Sequence, residues 1–157
     1  MRSGVASSPP PADIAPMTVT AHFAYVVRAV DGDTLLVRMG DGRQERVRVI
    51  GINAPESVDQ KRPMGCYGVE ASTRMHELLD GKDIEVTPEP QDDRDVFGRL
   101  LRYISFGGID IGAEMIREGY AESYCYKYPH PRCSQYEALE RAAVTANVGM
   151  WGHCSRS

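Results

Sequence analysis

The sequence predicts an α+β domain, mainly β, in which a small barrel or sheet carries helical cover. Three observations predict it. Strand-like segments dominate the first half and are separated by Asp-Gly turns, while amphipathic segments of helical period come mostly later. The third is size: 157 residues fit one ordinary domain with a single core, large enough to bury roughly 70% of the unfolded surface.

From His22 onward, "HFAYVVRAV", "TLLVRM" and "ERVRVIGI" are β-branched and partly alternating, and they read as a three-stranded meander. The intervening "VDGDT" and "MGDGR" both place Asp-Gly between apolar runs, a strong hairpin signal. Next, "NAPESVDQKRPMGC" is rich in Pro, Gly and charge, as expected of a mobile surface loop. "YGVEASTRMHELLDG" then sets Ala71, Met75, Leu78 and Leu79 on one helical face and closes on Gly81.

"DIEVTP" and "RLLRYIS" supply two further strands, joined by the acidic loop "EPQDDRDVFG". A second helix follows in "IGAEMIRE", with Asp110 as N-cap and Gly119 as its stop. A third is predicted from Ser134, where Ser134 and Glu137 have the spacing of a capping box, through Leu139 and Ala143 toward Gly149. Residues 21–154 thus form the domain. The preceding 1–20, small and Pro-rich, are expected to be a disordered tether, and 155–157 a short tail.

Composition narrows the function classes. Hydrophobic residues at 42% and charged residues at 25% are globular values, and no apolar run reaches the roughly 20 residues of a membrane span. The formal charge of -4 disfavours long-range attraction of a polyanion, so any nucleic-acid contact must be local. The four cysteines, Cys66, Cys125, Cys133 and Cys154, lack a Cys-x-x-Cys pair, which suits two disulfides better than a zinc cluster. His130 and His153 lie close to cysteines and keep the zinc alternative open.

The candidate chemistry begins at Asp31 and Asp33. An isolated Asp-Gly-Asp is ordinarily turn chemistry. Here, however, "VRVIGINAPES" ends the third strand with an amide, Asn53, and an acid, Glu56, and a meander can return these beside Asp33. Carboxylate, amide and carbonyl oxygens are the donors a hard cation such as Ca²⁺ prefers. Arg48 alternates with Val47 and Val49 on that strand, and Arg99 starts the fifth strand after a glycine. A guanidinium there can offer a planar fork to phosphate.

In order and spacing, "VDGDT", "VRVIGINAPE", "YGVEAS" and "DVFGR" resemble the thermonuclease or staphylococcal nuclease family, and the likeness runs from about Tyr25 to Trp151, including "GMWG". The resemblance implies a five-stranded oligonucleotide-binding barrel with three helices, and a Ca²⁺-dependent phosphodiesterase acting on DNA and RNA to leave 3′-phosphate ends. Residue by residue, it implies Asp33, Asn53 and the Ala54 carbonyl as metal ligands. Glu56 is implied as the acid that orients or deprotonates water, and Arg48 and Arg99 as the phosphate-binding pair. Asp31 matches a neighbouring acid.

The chain departs from the family's type member in places. Asn53 and Ala54 stand where that member has aspartate and threonine, which lowers the site's charge and its expected metal affinity. Val96 and Phe97 replace a lysine and a tyrosine that grip a terminal phosphate. Tyr124, Tyr126 and Tyr128 recur at period two, so an extended segment would offer them for base stacking, with packing of a loop as the other reading; an ungapped match to the family puts Cys125 and Lys127 at its nucleotide-contacting tyrosine positions. Phe97, Tyr124, Tyr126 and Lys127 are therefore the candidate substrate contacts.

The cysteines are absent from the type member. Cys125 and Cys133 bracket a short Pro-containing loop, which leaves Cys66 and Cys154 as the second pair. Disulfides would indicate an oxidising compartment, and with it a secreted, periplasmic or surface-tethered protein; four free thiols would equally fit the cytoplasm. The expected partners are DNA and RNA, with single-stranded or flexible regions favoured, and the expected state is a monomer. Two competing functions are a non-catalytic nucleic-acid-binding module of the same fold and a structural barrel that binds protein.

Overall fold

The computed structural model describes residues 22–57, 65–89, 92–125 and 129–154. The expected N-terminal tether and C-terminal tail, most of the loop after Ser57, and Tyr126, Lys127 and Tyr128 lie outside the described residues.

The meander forms as the alternation requires. β1 (His22–Asp31), β2 (Thr34–Met39) and β3 (Gln44–Val49) pair antiparallel, with Asp31 opposite Thr34 and Thr34 opposite Arg48. Gly32 and Asp33 are therefore the two turn residues, and Asp31 is the last strand residue rather than part of the turn. Its carboxylate still serves the turn by accepting a hydrogen bond from the Asp33 amide at 3.1 Å.

β5 (Asp83–Pro88) pairs with β1, and β6 (Leu100–Phe106) pairs with β5. Parallel pairing of β3 with β6, in which Arg48 lies opposite Leu101, closes the five long strands into a barrel. Closure removes both sheet edges. Val26, Leu35, Val37, Val47, Ile84, Val86 and Ile104 fill it from alternate positions and are almost wholly buried.

Two-residue strands complete the ladders. β4 (Ile52–Asn53) pairs with β8 (Glu122–Ser123), and β7 (Ile109–Asp110) continues β6. Helix α1 (Gly68–Leu79) buries Ala71, Met75 and Leu79 against the barrel, with Leu78 half-covered at the margin. Its start is sterically exacting, because a Cβ on Gly68 would meet the Glu56 carbonyl oxygen at 2.0 Å. Gly68 therefore lets the chain that carries Glu56 lie directly on the helix.

Asp110 caps α2 (Ile111–Arg117) as expected, accepting from the Ala113 amide at 3.1 Å. The capping box expected at Ser134 does not form. α3 (Cys133–Thr145) starts one residue earlier, with the Arg132 carbonyl accepting from the Tyr136 amide and no side-chain cap. Ser134 already lies inside the first turn, too late to cap it. The helix also stops at Thr145, and "MWGH" forms a separate α4 (Met150–His153).

Both expected cysteine pairs are juxtaposed as disulfides, Cys66 with Cys154 and Cys125 with Cys133, at Cα separations of 6.0 and 5.8 Å. Among the described residues, no helix is long and apolar enough to cross a membrane.

Candidate active site

The acidic corner is built where the β1–β2 turn meets the segment after β4. A Cβ on Gly32 would lie 2.6 Å from that of Ala54 and 2.9 Å from that of Ala71, so glycine permits three elements to converge here. Asp33, only 7% exposed, accepts from the Ala54 amide through Oδ2 at 2.9 Å. Its Oδ1 accepts from the Thr34 hydroxyl at 3.0 Å. The expected return of "INAPE" to Asp33 is thus a hydrogen bond.

Burial, followed by the negative charge of Asp33, pushes the Asp31 carboxyl up to about 7, with Glu56 adding to the repulsion. Three carboxylates therefore share one field. With the exposed Asn53 amide and the Ala54 backbone beside them, the donors are all oxygen and the charge is in excess, the chemistry that suits a hard cation. The residues present fit a hard divalent cation.

Two arginines approach this corner from different supports. Arg48, on β3, donates to the carbonyls of Val49 and Ile52 at 2.9 and 2.7 Å. Its other terminal nitrogen lies 3.6 Å from Asp33 Oδ2 and 3.4 Å from Asn53 Oδ1. An exposed, simply solvated strand arginine would show none of this.

Arg99 stands just before β6. Its Nε donates to Asp95 Oδ2 at 2.7 Å, and its backbone amide donates to Oδ1 of the same carboxylate at 2.9 Å. One terminal nitrogen reaches the Thr34 hydroxyl at 3.3 Å. Thr34 thereby connects Asp33 to Arg99, and the acid corner and both guanidiniums form one network.

A cleft of about 370 Å³ opens over this network, lined among others by Arg48, Asn53, Arg99, Phe97, Tyr124 and His130. Each arginine has a ring beside it: the Arg99 guanidinium lies 5.4 Å from the centroid of Phe97, and Arg48 lies 6.0 Å from that of Tyr124. Val96 and Phe97 project from the rim, 86% and 80% exposed. Tyr124 is fixed by its amide, which donates to the Gly51 carbonyl at 2.8 Å.

The acidic loop before Arg99 is more tightly engaged than a solvated loop. Arg94 makes a two-pronged ion pair with Glu45 at 2.9 Å, and Asp93 pairs with Arg102 at 2.9 Å. Asp92 and Asp95 remain on the cleft wall.

An acid cluster, two supported arginines and a flanking aromatic pair on a five-stranded barrel agree with the comparison of the sequence with known proteins. The staphylococcal nuclease homologue family profile matches residues 46–153. The chain belongs to that family. It is 29% identical over 128 residues to a thermonuclease of Staphylococcus hyicus, covering 82% of this chain and 75% of that protein. A thermonuclease of Staphylococcus intermedius is 31% identical over 135 residues, covering 85% of this chain and 78% of the relative. The endonuclease YncB of Bacillus subtilis (strain 168) is 31% identical over 128 residues, which cover 79% of this chain and only 59% of the Bacillus protein.

As a member of this family, the chain brings Asp31, Asp33, Arg48, Asn53, Ala54 and Arg99 together, with Glu56 close enough to perturb Asp31. Phe97 and Tyr124 line the same cleft. Sequence reasoning missed Thr34 and Asp95. Their signals were present: a hydroxyl directly after Asp33 in "DGDT", and an acid four residues before the arginine in "DVFGR".

Proposed function

We propose that this chain is a calcium-dependent nuclease that hydrolyses phosphodiester bonds of DNA and RNA and leaves 3′-phosphate ends. The observation that carries the reading is the single network in which buried Asp33 and Thr34 link Arg48 and Arg99, the two guanidiniums that line one open cleft. Asp33, Asn53 and the Ala54 carbonyl would hold the cation. When bound, calcium would polarise a phosphoryl oxygen and help neutralise charge that develops on it.

The remaining work falls to side chains. Arg48 and Arg99 bind the scissile phosphate and meet the negative charge that grows on its equatorial oxygens as water attacks in line. Both are held by acceptors before substrate arrives, so little reorganisation is needed. Glu56, exposed beside the acid corner, takes the proton of the attacking water. Phe97 and Tyr124 offer faces to unpaired bases, which favours single-stranded or flexible substrate. Tyr126 is assigned to substrate on the period-two tyrosine pattern alone, and Lys127 on the family likeness alone. The paired cysteines favour action in an oxidising compartment, secreted, periplasmic or surface-tethered.

The test is incubation of plasmid DNA and of RNA with the protein, in calcium or in chelator, alongside Glu56→Gln. The proposal expects cleavage that needs both calcium and Glu56. Binding without cleavage would instead assign a nucleic-acid-binding module, and cleavage unchanged in Glu56→Gln would remove Glu56 from its role.

A further inference from the structure

His130, which lines the cleft, belongs to a second cluster of ligating groups. Sγ of Cys125, Sγ of Cys133 and a ring nitrogen of His130 all lie within 4.8 Å of one another. We propose that Cys125, His130 and Cys133 form a Cys₂His site for a soft divalent cation such as zinc when the Cys125–Cys133 disulfide is reduced. It is independent of the calcium-dependent chemistry proposed above.

The histidine is placed as a ligand needs to be. It is 8% exposed, and its Nδ1 lies 2.7 Å from the Tyr103 hydroxyl, while Nε2 faces Cys125 Sγ at 3.6 Å. Metal-bound imidazoles ordinarily have the distal nitrogen held by such a partner, which fixes the ring. Ligation through Nε2 leaves the ring proton on Nδ1, where the Tyr103 oxygen can accept it; the longer 3.3 Å contact from the Arg132 amide is given up. Burial depresses the His130 pKa and so favours the neutral form that ligates.

The sulfurs are also prepared. The His130 amide donates to Cys133 Sγ at 3.2 Å, and Cys133 is the first residue of α3, where the helix dipole favours a thiolate. Tyr103 is in turn fixed by the Arg132 guanidinium, 4.0 Å over its ring, and Arg132 is held by Asp110 at 2.8 Å. Two thiolates and one imidazole are soft donors that select zinc over calcium, in contrast to the all-oxygen corner. Solvent would fill a fourth position.

The chemistry balances with an external dithiol. The dithiol gives two electrons to the Cys125–Cys133 bond and becomes a disulfide; two thiols result, and metal binding displaces their protons. The Cys66–Cys154 pair lies elsewhere and supplies no ligand.

Cobalt(II) is the probe, added to the full chain with calcium saturating, before and after reduction by a dithiol that is then removed. The reduced protein should bind one equivalent with a thiolate-to-cobalt charge-transfer band, and the oxidised protein should show none. Cys125→Ser/Cys133→Ser should abolish the band, whereas Cys66→Ser/Cys154→Ser should keep it. His130→Gln should weaken binding, and Tyr103→Phe should weaken it about tenfold with the band shape kept. If His130→Gln fails to fold, Tyr103→Phe decides. No band on reduction, a band that survives loss of Cys125 and Cys133, or cobalt affinity unchanged in Tyr103→Phe would overturn the proposal.

Discussion

The two arginines of the cleft reach the same place by different physical means. Arg48 sits within the closed barrel and is held by backbone carbonyls of Val49 and Ile52, acceptors that no side-chain substitution removes. Arg99 stands at the end of a loop and is held by side chains, chiefly the carboxylate of Asp95, which also accepts from the Phe97 and Arg99 amides, and by the Thr34 hydroxyl. One wall is fixed by the fold, and the other mainly by the Asp95 side chain. The cleft therefore has one half held by the barrel backbone and another held by side chains, with Val96 and Phe97 exposed on it.

Removing either guanidinium is the largest expected effect. Arg48→Ala and Arg99→Ala should each cost about 3 kcal/mol or more of transition-state stabilisation, read as a fall in kcat of about 100-fold or more with near-ultraviolet circular dichroism unchanged. Near-native turnover in either would break the pairing.

Asp95→Ala is next, and it separates the two walls. Loss of a hydrogen bond to a charged group is worth about 1.5 to 3 kcal/mol, so kcat should drop about 10- to 100-fold although Arg99 is still present. The same loss, if caused by loop unfolding, would instead appear as a lowered Tm with a parallel fall in folded fraction.

Asp31→Asn probes the acid corner through stability. The Asp31 carboxyl is raised in the folded state to about 7 from 3.8, so its proton favours folding at low pH. That contribution is complete below the unfolded value and is lost as pH rises toward and through 7. Without calcium, the native protein should lose stability over this window, and Asp31→Asn should be more stable than native at pH 8 by about 1 to 3 kcal/mol. Thermal melts at pH 5 and pH 8 measure it.

The smallest effect is expected at the exposed rim. Phe97→Ala removes a stacking face worth about 1 kcal/mol at an exposed site, so KM for single-stranded substrate should rise a few-fold with kcat kept. An equal fall in kcat would move Phe97 from substrate contact to support of Arg99.

These contrasts also explain what the sequence made legible. Asp33, Arg48, Asn53 and Arg99 could be placed on a strand or turn because alternation and punctuation are local, whereas the roles expected of them came from the resemblance to the family. The Asp110 cap was legible because its signal is also local. The short β4–β8 pairing was not, since two residues carry no periodicity and the pairing depends on the barrel already being closed. The expected Ser134 cap lies two residues beyond the observed N-cap, because the Arg132 carbonyl, beside the Cys133 tether, starts α3 earlier. Thr34 escaped because its contact with Arg99 exists only once strands far apart in sequence bring Arg99 over the turn, whereas the Asp95 contact is local, four residues from Arg99, and its signal was passed over.

The most direct measurement is a calcium titration of the rate of single-stranded DNA cleavage by the native protein and by Asp33→Asn. Asp33 joins the turn to the segment carrying Asn53 and Ala54, and through Thr34 to Arg99. The native rate should rise from near zero in chelator to a plateau with calcium, and the variant should need far more calcium or fail to cleave. Native cleavage that persists in chelator, or an Asp33→Asn titration that overlays the native one, would contradict the account.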